Sequence, residues 1–329
     1  MTAIVYRNTS TTLPGWVKPL HVSLPQGIAY ETSTHFIHYY GSATDLYTIS
    51  VGLTASERKN GLLNDWVTRV FGAQDIRPSI HVPGETVRGV WRPGLYFYDE
   101  TLQGLGNTET ELRMAEQALR LLLDRLDELF LYIEPDTHGL QAYSHKTREL
   151  LILACTELEN IWKEYMRITG VATSGSVCTT NDYVRLLAPL FLDEYEITLR
   201  SYSSIPPVQP FSTWSASAPT QSLPWYDAYN KTKHDRSTHF DLATLANCIA
   251  SVAANIVLHC VRFSPFPLLE GRGTLSPLFN QAFSVRLHNP RAETFYIPLI
   301  NPAISLRDEL VWGDRREDIA PRTVKPLVL

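Results

Sequence analysis

Trp225-Tyr-Asp-Ala-Tyr-Asn-Lys-Thr-Lys-His-Asp-Arg236 crowds aromatic, amide, imidazole and cationic side chains into one short stretch. A long loop precedes it, Ile205 to Pro224, punctuated by Pro206, Pro207, Pro210, Pro219 and Pro224. A long segment follows in which Asp241 is the one formal charge between Phe240 and Cys260. A polar cluster at the mouth of a helix bundle serves chemistry or recognition more often than packing. If the stretch is helical, Asn230 and His234 share a face, being four residues apart. Lys231, Lys233 and Arg236 add three positive charges beside them. Together they read as a phosphodiester site. His234 would be the general acid or base, the cations would hold phosphate oxygens, and Trp225 or Tyr229 would stack a base. The same residues also read as a solvated basic helix start, with Trp225 and Tyr229 in the core.

Upstream of this stretch the apolar pattern has a helical period. Leu112, Ala115, Leu119, Leu122, Leu126, Leu129 and Ile133 recur at spacings of three and four, predicting a helix from Thr108 to Ile133 closed by Pro135. A second helix is predicted from Ser144 to Ile168, ended by Gly170. A third is expected over Asn181 to Asp193, kinked or shortened by Pro189. A fourth is expected over Thr238 to Phe263, with Thr238 and Asp241 forming a capping box that has Asp in place of Glu.

Residues 1–105 carry a different pattern. Thr34 to Tyr40 and Asp45 to Val51 are rich in aromatic and β-branched residues, as strands are, with Gly41-Ser42 as a turn between them. A short helix is expected within Gly61 to Phe71, and strand, turn and strand over Gly89 to Tyr98. Beyond 265 the chain is Pro-rich, with short strands expected at Ala282 to Leu287 and Thr294 to Leu299. The tail is suited to pack back on the N-terminal unit or on a second subunit. The fold class is α+β: a small mixed α/β unit over 1–105, a four-helix bundle over 106–265, and a C-terminal extension with short strands over 266–329.

Composition narrows the function classes. Apolar residues make up 44% of the chain and charged residues 19%, with a formal charge of -5. No global basic field draws the protein onto nucleic acid, so any such contact needs a local patch. The N-terminus lacks a basic region followed by an apolar one, so no signal peptide is expected. Phe240 to Cys260 contains Asn247, Ser251, Asn255 and His259, which suit a protein interior better than lipid. A cytoplasmic protein with no membrane span is the expectation. Cys155, Cys178, Cys248 and Cys260 show no CxxC spacing and read as reduced, mostly buried thiols. His234 and His239 are five apart, and no Cys or carboxylate cluster completes a ligand set, so no metal and no cofactor is expected. Neither a Walker-type glycine loop nor GxGxxG occurs.

Tyr229-Asn-Lys-Thr-Lys-His-Asp-Arg236, followed by a long Ala/Leu-rich helix, resembles the HEPN superfamily of helical-bundle proteins. The helix Glu149-Leu-Leu-Ile-Leu-Ala-Cys-Thr-Glu-Leu-Glu-Asn-Ile-Trp162 resembles the partner helix of abortive-infection-like members. The resemblance spans roughly 110–265. It implies a metal-independent endoribonuclease of bacterial defence or toxin–antitoxin systems, dimerising so that two motifs face each other. The family motif is Arg, four to six residues, then His, often with a polar residue after the Arg. Asn230 matches the polar position and His234 the His, while Tyr229 stands where the Arg belongs. No His in this chain has an Arg at the motif distance. Loss of one such donor typically costs about 10²–10³ in rate.

On that resemblance His234 and Asn230 are the catalytic candidates. Lys231, Lys233, Arg236, Tyr229 and Trp225 are the substrate-binding ones. RNA and a second copy of the chain are the partners, and the N-terminal unit is a sensor or protein-binding module. Glu157 and Glu159 are supporting candidates; two apart on a helix, at most one reaches His234. The alternative is a non-catalytic HEPN-like scaffold in which Tyr229, Asn230 and His234 form a buried polar network. Binding of a small phosphate-containing ligand in the same pocket is a third option. Exposure of His234 beside Lys233 and Arg236 discriminates the first two.

Overall fold

The computed structural model describes all residues except 13–17, 43–45, 47–49, 97, 172–174, 176, 272, 301–310 and 314–318. Two compact units divide the chain: Met1–Gly106 with Asn289–Lys325, and Asn107–His288 with the last four residues. The chain is α+β, with a mixed sheet-and-helix N-terminal region and a helix-rich stretch after it.

The first unit opens with β1 (Ala3–Arg7), the short α1 (Leu20–Ser23), β2 (Gln26–Glu31), β3 (His35–Gly41) and β4 (Ser50–Arg58). Next come α2 (Leu63–Phe71), β5 (Gln74–Pro78), β6 (Glu85–Val87) and α3 (Tyr98–Leu105). Strands β5, β1, β2, β3 and β4 form an antiparallel ladder in that order. Alternation along the strands sorts side chains to two faces. Ile4, Tyr6, Ala29, Phe36 and Tyr40 meet Leu63, Trp66, Val67 and Phe71 of α2 on one face.

The strand expected over Asp45 to Val51 lies partly outside the described residues; β4 begins at Ser50. Gly89 to Tyr98 differs from expectation. It holds one bridge, Val87 to Val90, and Tyr98 already opens α3. Gly89 and Gly94 sit at φ 67° and 99°, with Pro93 between them, which turns the chain instead of extending it.

The second unit is built on α4 (Glu109–Phe130) and α5 (His145–Thr169), where the predicted periodicity is realised. Thr108 and Glu111 close a capping box on α4, and Ser144 and Thr147 close one on α5. Gly170, at φ 62°, ends α5 in the left-handed conformation that glycine favours. The expected third helix is broken into α6 (Thr180–Tyr183) and 3-10 turns at Val184–Leu186 and Leu192–Glu194. Pro189 offers no N–H, and Phe191 takes φ 53°, which ends any helical run. After β7 (Tyr195–Leu199) come α7 (Pro224–His234), α8 (Arg236–His239) and α9 (Leu245–Phe263).

The fourth helix therefore starts at Leu245, later than expected. Thr244 caps it by accepting from the Asn247 N–H, while the Thr238 N–H is taken by the Asp235 carboxylate. These two caps divide the expected helix into separate pieces. Helix α9 packs against α4, α5 and α7 and is buried over nearly its whole length. It is long and apolar enough by composition to cross a membrane, as the core helix of a bundle also is. The unit continues through α10 (Phe266–Leu269), α11 (Ser276–Ala282) and β8 (Phe283–Leu287), which pairs antiparallel with β7.

From Asn289 to Lys325 the chain belongs to the first unit again. Ala292, Phe295, Ile297 and Ile300 pack on the second face of the sheet, against Ala3, Val5, Ile28, Tyr30, Ile37 and Tyr39. The strand expected at Thr294 to Leu299 does not form; a 3-10 turn spans Ala292–Thr294 and the chain then runs extended. Its amides make scattered bonds instead of a ladder, such as Tyr296 N–H to the Pro93 carbonyl. Strand β9 (Val311–Gly313) extends the sheet beside β4, and β10 (Thr323–Lys325) pairs parallel with β6.

Candidate functional site

Helix α7 carries the polar cluster singled out in the sequence. Pro224 sits in its first turn, where the missing N–H costs nothing. Trp225 and Tyr229, expected to contact substrate, are instead core residues, 2% and 0% exposed. The Trp225 indole N–H donates to the Pro210 carbonyl at 3.0 Å, so the proline-rich loop is tied to the helix it precedes. Trp225 also lies in an aromatic group with Trp162, Phe211 and Tyr226. A helix with this apolar face has to bury it, and the aromatic rings go inward with it.

The neighbouring polar groups satisfy one another. Tyr226 donates its hydroxyl to Glu159 Oε1 at 2.9 Å, and Lys163 lies 3.6 Å from the same carboxylate. Burial, with Glu159 next to it, raises the Tyr226 hydroxyl well above the ordinary tyrosine range. Lys233 Nζ donates to the Tyr229 hydroxyl at 2.7 Å, one helical turn back. That bond raises the ammonium pKa of Lys233. Lys231 pairs with Asp227 at 2.6 Å. Asn230 does not orient His234: its amide donates to the Tyr226 carbonyl at 3.1 Å. Arg148 of α5 donates to the Thr232 carbonyl at 2.9 Å and so caps the end of α7. His234, the last residue of α7, is exposed, and so are Lys233 and Arg236. The Arg236 guanidinium lies 5.9 Å from the Phe240 ring centre.

Glu157 and Glu159 part company as their spacing requires. Glu159 joins the α7 cluster, while Glu157 faces a cavity of about 400 Å³ between α4, α5 and α9. Small side chains on α4, Ala115 and Ala118, leave this space where leucines fill the rest of the helix face. Asn255, His259 and Arg262 line it from α9 at positions i, i+4 and i+7, one face of the helix. The Asn255 amide donates to the Ala154 and Ser251 carbonyls at 3.0 and 2.9 Å, which leaves Oδ1 as an acceptor.

At one end of the cavity, Arg262 bridges Glu111 at 3.2 Å and Glu164 at 2.5 Å, with its own side chain 6% exposed. Its Nε–H has no partner. His259 is 3% exposed, and neither ring nitrogen has a hydrogen-bond partner among the described residues. Burial, reinforced by the Arg262 charge, lowers its pKa to about 4, so the imidazole is neutral at pH 7. A neutral imidazole offers one N–H donor and one lone pair. Leaving such buried groups unmet costs about 1–3 kcal/mol each.

Of the residues that line this cavity, the sequence singles out Glu157, as a support for His234, and marks Asn255 and His259 only as interior polar residues. The signal was present, as polar residues at helical spacing within an otherwise apolar helix. Cys155, Cys248 and Cys260 are buried free thiols, and Cys178 is a half-buried one. Among the described residues no group of three His, Cys, Asp or Glu side chains is placed to hold a metal ion. No protein-family model matches the chain, and no curated protein or solved structure matches it either.

Proposed function

We propose that the helical unit is a HEPN-like bundle that works as a non-catalytic scaffold or interaction module in the cytoplasm. The observation that carries this is the state of Tyr229. It occupies the motif's Arg position, is 0% exposed, and its hydroxyl holds the Lys233 ammonium. A phenol takes the place where the motif would offset charge on a scissile phosphate; it supplies no full positive charge, and the Lys233 ammonium beside it is engaged by its hydroxyl. Asn230 is likewise occupied by the helix backbone.

The exposure of His234 beside Lys233 and Arg236 favours a second reading. In it the protein binds RNA and cleaves it without a metal, as a homodimer of a defence or toxin–antitoxin system. His234 then takes the proton of a ribose 2′-hydroxyl, whose oxygen attacks the adjacent phosphorus; the bond to the 5′-oxygen of the next nucleotide breaks, that oxygen leaves as a hydroxyl, and a 2′,3′-cyclic phosphate remains. One experiment separates the two. The protein and a His234→Ala variant are incubated with mixed tRNA and mRNA in excess EDTA, and the RNA ends are mapped. The scaffold reading expects intact RNA from both. Cleavage by the parent alone, leaving cyclic phosphate ends, would overturn it.

A further inference from the structure

The cavity between α4, α5 and α9 takes no part in the scaffold or nuclease reading, and its chemistry is open. Its volume, about 400 Å³, lies within the range of small-molecule sites, about 300–1,000 Å³. Leu119, Ile161, Leu258 and Phe263 give it an apolar wall. The polar groups that face it fall into two classes. Arg262 is held between Glu111 and Glu164, two carboxylates against one guanidinium. Among the described residues His259 and Glu157 have no hydrogen-bond or ion-pair partner: the imidazole is 3% exposed, and Glu157 is half-buried.

Charge decides which ligands this arrangement accepts. Three carboxylates, Glu111, Glu157 and Glu164, stand against Arg262 and against Arg167, which lies 3.8 Å from Glu164. The site therefore carries a net charge of about -1 with a neutral imidazole and repels an anion. A cation is drawn in, and among the described residues the Glu157 carboxylate has no counter-charge. We infer that this cavity binds a small organic amine, its protonated amino group on Glu157, its apolar body along the α4 and α9 wall, and a hydrogen-bonding group on His259. The assignment also accounts for Ala115 and Ala118, whose small side chains keep the space open. A well-packed bundle would place larger residues there.

Tryptamine is a suitable probe because it combines an ammonium, an apolar bicycle and a ring N–H for the imidazole lone pair. Its neutral and anionic counterparts are 3-methylindole and indole-3-propionate. Binding of each to the full chain is measured by ligand-observed NMR titration at pH 7, with the parent and with Glu157→Gln, His259→Leu and Ala118→Phe. Tryptamine is expected to bind at least tenfold tighter than indole-3-propionate. Glu157→Gln should weaken tryptamine about tenfold and leave 3-methylindole unchanged. His259→Leu should weaken tryptamine severalfold, and Ala118→Phe should abolish binding of all three by filling the cavity.

Circular dichroism melting of each variant confirms that a loss of binding is not a loss of fold. Equal or tighter binding of indole-3-propionate would overturn the inference, as would tryptamine affinity indifferent to Glu157→Gln or Ala118→Phe. Failure of every probe to bind the folded parent at millimolar concentration would make the cavity a packing void and end the proposal.

Discussion

Helices α7 and α9 lie against each other and handle their polar groups in opposite ways. Helix α7 displays a Lys, Asn, His and Tyr constellation, and most of it is internally engaged. Tyr226 meets Glu159, Tyr229 meets Lys233, Lys231 meets Asp227, and Asn230 meets the helix backbone. Helix α9 looks inert in sequence, yet it buries His259 with both nitrogens unmet and Arg262 with Nε unmet. Density of reactive side chains is thus a poor guide to available chemistry. What a group can do for a ligand depends on whether the fold has already given it a partner.

The contrast predicts different consequences of mutation on the two helices. The largest effect belongs to the anchor of α7. Trp225→Ala removes a core side chain and its bond to the Pro210 carbonyl, and should cost roughly 3–5 kcal/mol in urea unfolding. A loss below about 1 kcal/mol would mean that α7 is not held through its aromatic face. Next is Arg262→Leu, which leaves Glu111 and Glu164 facing each other without the guanidinium. Because both carboxylates are about a third exposed and Glu164 keeps Arg167 at 3.8 Å, roughly 1–3 kcal/mol is expected, and raised salt should restore part of it.

Acid should act through α9. The His259 pKa is lowered to about 4, so between pH 6.5 and 4 the unfolded chain binds a proton that the folded chain does not. Stability therefore falls as pH falls through that window. The share due to His259 is at most about 1.4 kcal/mol per pH unit. His38, stacked 3.8 Å from Phe71, and His81, with a pKa near 4, act in the same direction in the first unit. Arg262, Glu111, Glu157 and Glu164 line the same cavity as His259. Unfolding curves of His259→Leu across this range should be shallower than those of the parent; identical slopes would refute a buried neutral imidazole.

The smallest effects distinguish positions within α7. Tyr229→Phe should cost about 1 kcal/mol through the lost Lys233 bond, while His234→Ala should stay within about 0.5 kcal/mol. A larger loss for His234 than for Tyr229 would reverse the assignment of which residue is structural.

Local signals carried far in this chain, and nonlocal ones did not. Helices α4 and α5 were legible because their leucines repeat at three and four and their capping residues stand beside them in sequence. Helix α2 and strand β3 followed from local composition for the same reason. The pairing of Tyr195–Leu199 with Phe283–Leu287 was hidden because the partners are far apart in sequence. The returning segment around Phe295 to Ile300 has strand-like residues but covers a sheet face instead of joining a ladder. At the candidate site, residue types were visible while partnering was not. Nothing local shows that Lys233 turns back to Tyr229, or that Ala115 and Ala118 leave His259 beside empty space.

The central claim is that His259 has no partner in the folded protein, and its replacement tests this most directly. Urea unfolding of the ligand-free His259→Leu protein at pH 7 should give a stability equal to the parent's or higher by roughly 1–2 kcal/mol, since an unmet buried polar group is removed. A loss of more than about 1 kcal/mol would show that the imidazole already holds a hydrogen bond within the bundle, and would contradict the account.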